Sequence, residues 1–129
     1  MQASTSNGFA HQRLDAYHVA QQLAVGCVRL TQQVPRGFAE IRDQARRSAL
    51  ATVRHIAEGA SRSSPADKRA RFTVARGEVA ELDATLETAL RLDLVPPATA
   101  HELRRLTQRV GAMLTGLIQR ESRRAESSG

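Results

Sequence analysis

The sequence predicts an all-α protein, an up-down-up-down four-helix bundle in a single domain. Three observations predict it. Apolar residues fill 41% of the chain but aromatics only 3%, with no Trp, so the core must be built from Leu, Val, Ile and Ala. Such a core suits closely packed helices better than a sheet. The β-branched and aromatic runs that a strand needs are absent. Finally, apolar positions recur at helical spacing in four segments, each bounded by Pro, Gly or Ser.

The first segment spans about Leu14 to Val34, with Ala16, Ala20, Leu23, Cys27, Leu30 and Val34 along one stripe. Pro35 closes it, because the residue before a proline is pushed out of helical geometry. The second, about Phe38 to Ala60, has Phe38, Ile41, Ala45, Ala49, Val53, Ile56 and Ala60 on its seam, with alanines small enough to admit a close neighbour. Glu58-Gly59 reads as its end, with Gly59 expected in a left-handed conformation. Ser64 is expected to cap the third helix, with Pro65 in its first turn and Asp67 against the positive helix end. That helix shows Phe72, Ala75, Val79, Leu82, Leu86 and Ala89, and Pro96 and Pro97 stop it. Thr99 and Glu102 make a capping-box pattern for the fourth helix, whose seam is Leu103, Leu106, Val110, Met113 and Leu117, widened by Leu114 and Ile118. The bundle should therefore occupy 11–121, with flexible tails at 1–10 and 122–129.

Several classes are disfavoured at this stage. A lone cysteine, Cys27, allows no intrachain disulfide and reads as a small buried thiol. The polar start lacks the plan of a signal peptide, and no apolar run approaches the roughly 20 residues of a membrane span. A cytoplasmic protein without membrane contact is expected.

Charge says more. The formal net charge is +6, carried by 18 Arg and one Lys. Such a balance fits a polyanion partner, RNA or DNA, and also fits a GC-rich genome. Its distribution is uneven. Residues 36–76 hold ten Lys/Arg against four Asp/Glu, whereas 77–93 hold one Arg against five acids. Segregation of this kind suits either a polyanion surface or charge-complementary docking between subunits. Arg42, Arg46, Arg47 and Arg54 lie along the second helix, and Arg62, Lys68, Arg69 and Arg71 gather around the next loop. These eight are the candidate nucleic-acid contacts, suited to phosphates rather than to base edges. The poverty of aromatics argues against sequence-specific single-strand recognition.

Nothing points to catalysis, a metal or a cofactor. There is no nucleophile elbow and no Gly-rich phosphate loop. His55 and Glu58 stand one turn apart, but a di-iron bundle wants Glu-x-x-His twice plus two more carboxylates. A polar pair ordering the helix end is the expected role. Glu78 and Glu81 share a face of the third helix and read as solvated or partner-facing acids.

The segment from Gln44 to Arg62 carries a resemblance. Gln44, Arg46, Arg47, Ser48 and Ala49, then Ile56, Ala57, Glu58, Gly59 and Arg62, match the pattern of bacterial four-helix bundle proteins encoded within intervening sequences of large-subunit ribosomal RNA genes. The accessory proteins of diversity-generating retroelements look like relatives of the same bundle. Phe72, Ala75, Gly77, Glu81 and Leu82 fit downstream, and Leu30, Thr31, Val34 and Pro35 upstream, so the likeness runs from about Leu14 to Arg120. Two positions depart from it: His55 stands where Asn is usual, and Glu78 where Ser is common. The resemblance implies a homopentameric ring that binds nucleic acid or a reverse transcriptase. It also marks Gln44, His55, Glu58 and Gly59 as structural motif residues.

Overall fold

The computed structural model describes residues 8–128, and the part of the expected N-terminal tail at 1–7 lies outside them. Four helices follow one another: α1 (Asp15–Thr31), α2 (Ala39–Ser61), α3 (Pro65–Arg91) and α4 (Pro97–Ser128). Among the described residues there is no strand. Each helix packs mainly on its chain neighbours, and α1 also packs on α4, which closes an up-down-up-down bundle. One end therefore gathers the start of α1, the α2–α3 loop and the end of α4. We call it the loop end. The other, the far end, gathers the α1–α2 and α3–α4 connections.

The predicted stripes form the core. All six positions of the first stripe and all six of the third are buried. On α2, the alanines and Ile56 are buried together with Ser48, Thr52 and Gly59, while Ile41 and Val53 are half-buried. Thr52 donates its hydroxyl to the Ser48 carbonyl at 2.8 Å, which lets a polar residue sit inside without an orphaned donor. Phe38 departs from its expected place. It belongs to a short 3-10 turn, Arg36–Phe38, and stays 39% exposed at the entrance to α2.

Helix ends follow local chemistry, with some corrections to the sequence reading. The Ser64 hydroxyl accepts from the Asp67 amide at 3.1 Å with Pro65 in the first turn, the expected cap. α1 ends at Thr31, and Val34 stays buried beyond it, held by a turn in which its amide donates to the Thr31 carbonyl. α3 stops before the prolines. Asp93 takes φ 58°, the Leu94 amide donates to the Ala89 carbonyl and the Asp93 amide to Leu90, a Schellman closure that satisfies the last carbonyls. Pro97 instead opens α4, where its missing amide costs nothing, so Thr99 lies inside the first turn and is not the cap.

Two expected tails also shrink. α4 runs on to Ser128 through the stretch assigned to a loose C-terminus, and a 3-10 turn at Ala10–Arg13 leads into α1.

Gly59 needs its missing side chain for another reason than the one expected. α2 continues to Ser61, and no described glycine has positive φ. A Cβ built on Gly59 would lie 2.7 Å from Cε1 of the Phe72 ring and 3.2 Å from Cβ of Arg71. The glycine admits α3, and its backbone is ordinary helix. Gly26 does the same for α4, since a Cβ there would meet Leu103 at 2.6 Å.

Candidate nucleic-acid interface

Folding divides the eight cations named from sequence. Arg46 points inward: its Nε donates to the Thr31 hydroxyl at 2.9 Å, and Nη2 lies 3.5 Å from the Val28 carbonyl. A cation there meets the negative end of α1, where the Val28 carbonyl also accepts from the Thr31 hydroxyl at 3.0 Å. Lys68 does the equivalent for α2, donating from Nζ to the Ala60 carbonyl at 2.9 Å. Both are structural contacts as well as charges, each closing a helix end. Arg42 lies against Asp43 at 3.3 Å, and Arg71 is 4.0 Å from Glu58. Arg47 is exposed and bonds the side chain of Gln44.

Arg54, Arg62 and Arg69 are different. They are exposed, and none has an ion-pair partner among the described residues. All three lie toward the loop end. So do cations that the sequence reading did not include: Arg13 before α1, and Arg120, Arg123 and Arg124 on the last turns of α4. The missed signal was the spacing of Arg120, Arg123 and Arg124, which places them within one turn of each other. Arg123 and Arg124 fall in the stretch expected to be a flexible tail, which hid the cluster.

The motif residues lie at the α2–α3 seam. Gln44 reaches Ser48 at 3.4 Å and Glu81 at 3.5 Å, linking the two helices. His55 Nδ1 lies 3.2 Å from Glu58 Oε1, but the two atoms are misaligned, and neither has a hydrogen bond. The expected polar pair is therefore a close electrostatic contact, with Arg71 on the same oxygen at 4.0 Å. Glu81 is exposed, whereas Oε1 of Glu78 is buried and has no donor.

The acidic half of α3 is largely engaged inside the subunit. Arg104 of α4 grips Asp83 with two parallel bonds, Nε to Oδ1 at 3.1 Å and Nη2 to Oδ2 at 3.0 Å, and reaches Glu87 at 3.5 Å. Thr107 adds a hydroxyl at 2.7 Å. Burial pushes the Asp83 carboxyl up, but the bonds from Arg104 and Thr107 outweigh it and hold the group below its ordinary range. Cys27 is the reverse case: burial pushes its thiol up to about 11, against a small opposing pull from Arg46, so the thiolate is scarce.

Among the described residues no three His, Cys, Asp or Glu side chains come together as metal ligands, and no helix is long and apolar enough to cross a membrane.

Comparison with known proteins adds the family. No curated protein matches the chain. The family model of the 23S rRNA-intervening sequence protein matches residues 12–116, from the turn before α1 to the last third of α4. With four helices in the order described and a match over most of its length, the chain belongs to the 23S rRNA-intervening sequence protein family.

Proposed function

We propose that this protein is a non-enzymatic, self-associating bundle that binds structured RNA through its phosphates, using the loop end as the contact surface. The observation that carries the reading is the exposure of Arg54, Arg62 and Arg69 at that end, without acidic partners among the described residues. An arginine already paired to a carboxylate must break that pair to meet a phosphate, whereas these three need not. Binding of this kind releases counterions, so affinity falls steeply with salt and differs little between sequences. A reverse transcriptase or other nucleic-acid enzyme is a partner that would share the same surface.

The experiment is a salt series with a structured RNA. Replacing Arg54, Arg62 and Arg69 together with Gln should lower affinity at least tenfold at moderate salt and flatten the salt slope by about two to three units. Equal binding by the variant would remove the loop end from consideration. Arg46 is excluded from the test because its loss loosens α1 from α2.

A second reading, a purely structural or protein-binding oligomer, draws on Val25, Leu50, Val74 and Leu92, large apolar side chains left exposed on the single chain. Its charge-complementary form is weakened by the Arg104 clamp, which already engages Asp83 and Glu87. Self-association, with a pentamer as the expected size, is compatible with both readings, and light scattering measures it. A monomer at micromolar concentration and moderate salt would remove it from the proposal.

A further inference from the structure

The loop end contains a cavity of about 300 Å³, at the small end of the range for ligand sites. It opens where the start of α1, the end of α2, the start of α3 and the end of α4 converge. Its polar wall is Arg13, Lys68, Arg120, Arg124 and Glu121. Four cations to one carboxylate make it an anion site by charge. The carboxylate makes it selective.

Glu121 is only 3% exposed. Its Oε2 accepts from Arg124 at 3.2 Å and lies 3.8 Å from Arg120 Nε. Its Oε1 is buried and has no hydrogen-bond donor. A buried carboxylate oxygen left in that state is costly, and it is satisfied by any ligand that brings a donor. The cavity therefore calls for an anion with a hydroxyl or N–H group close beside it.

We infer that the cavity binds a ribonucleoside 5′-phosphate. The phosphate meets Arg13, Lys68 and Arg120, the 2′-hydroxyl donates to Glu121 Oε1, and the base is left outside the cavity. The 2′-hydroxyl is the donor because it is free both in a mononucleotide and in the first nucleotide of an RNA chain. Those are the two sources of this chemistry, and only the second requires RNA. No base edge is read, so all four bases serve. The inference deepens the RNA reading. The two fail separately, because Arg54, Arg62 and Arg69 do not line the cavity.

The test titrates the full-length protein with adenosine 5′-monophosphate, its 2′-deoxy analogue and adenosine by calorimetry. The monophosphate should bind about tenfold or more tighter than either analogue. Glu121→Leu should bring the ribose and deoxyribose forms within about twofold of each other. Arg120→Gln, a change at a largely exposed side chain that leaves the core untouched, should weaken every phosphate ligand severalfold and leave adenosine unchanged. A short RNA with a 5′-phosphate, compared with the same RNA bearing a 5′-hydroxyl, separates the sources: a preference for the phosphorylated end assigns the site to RNA, and no preference assigns it to free nucleotides. Equal binding of the ribose and deoxyribose forms by the parent protein, or adenosine binding as tightly as its phosphate, overturns the inference.

Discussion

The two ends of the bundle hold the same kind of charge in different states. At the far end arginines are engaged: Arg46 closes α1, and Arg104 clamps Asp83 and Glu87. Exposed cations there, Arg29, Arg36, Arg47, Arg91, Arg105 and Arg109, are nearly offset by the exposed acids Glu40, Asp43, Glu81, Asp93 and Glu102. At the loop end Arg13, Arg54, Arg62, Arg69 and Arg123 are exposed against Asp15, Asp67 and Glu126, while Arg120 and Arg124 sit on Glu121. The lesson is that the number of arginines does not mark a polyanion surface. What marks it is the excess left once helix ends and carboxylates have taken their share.

Breaking the packing beneath the loop end should have the largest effect. Gly59→Val puts two branches where a single Cβ already lies 2.7 Å from a buried ring, and Phe72, at 2% exposure, has nowhere to go. Overpacking of this kind costs about 1–3 kcal/mol, and the rigid neighbour places this case near the top of that range. Chemical denaturation should show a lower midpoint, with Gly59→Ala intermediate. If the valine variant melts like the parent, α3 can retreat from α2 and the loop end is softer than the packing implies.

At the far end the Asp83–Arg104 clamp comes next. Asp83→Ala removes two charge-assisted bonds and leaves Arg104 only Glu87, a loss of about 1–2 kcal/mol at neutral pH. The sign of the pH dependence follows from the lowered Asp83 value. The clamp's contribution is complete above the unfolded carboxyl value of about 4 and disappears as pH falls below it through the folded value. Parent and variant stabilities should therefore converge in acid, and a constant gap down to about pH 2 would show that the carboxylate charge is not what matters.

Arg46→Gln sharpens the contrast between engaged and free cations. It should cost about 1 kcal/mol of stability by removing the guanidinium that the Thr31 hydroxyl oxygen and the Val28 carbonyl accept from at the negative end of α1. RNA affinity per folded molecule should hardly change, whereas the Arg54, Arg62 and Arg69 changes should do the opposite. A large loss of affinity on Arg46→Gln would make the inward arginine part of the binding surface.

How much of this was legible in the sequence depends on the range of the interaction. Stripes such as Ala16 to Val34 and Phe72 to Ala89 are periodic within one helix, so the fold class and core followed from spacing alone. The Ser64 cap was legible for the same reason, since all its atoms lie within four residues. Arg46 and Lys68 were not, because their partners are 15 and 8 residues away and belong to the ends of other helices. Nor was the loop-end site. Arg13 and Arg120 are remote in sequence, and only the folded bundle brings them to one cavity. Gly59 was noticed for its type, but its reason, the Phe72 ring, lies on another helix.

The smallest effect tests a helix stop. Asp93 is the one described residue other than glycine with positive φ, at 58°, the position that a Schellman closure usually gives to glycine. Its Cβ crowds the following carbonyl, a cost that Asp bears better than most residues because its short side chain bonds locally. Asp93→Gly should relieve that strain, while giving the unfolded chain more freedom to lose. The two effects oppose, and the closure itself, anchored by the Leu94 amide on Ala89 and by buried Leu94, holds the turn either way. We expect a net gain of about 0.5 kcal/mol, read as a rise of a few degrees in melting midpoint. Asp93→Val, which cannot enter this region without a clash, should move the midpoint the other way by a larger amount. Loss of stability in both variants would mean that the Asp93 carboxylate itself supports the far end, whose balance of exposed charge would then depend on it.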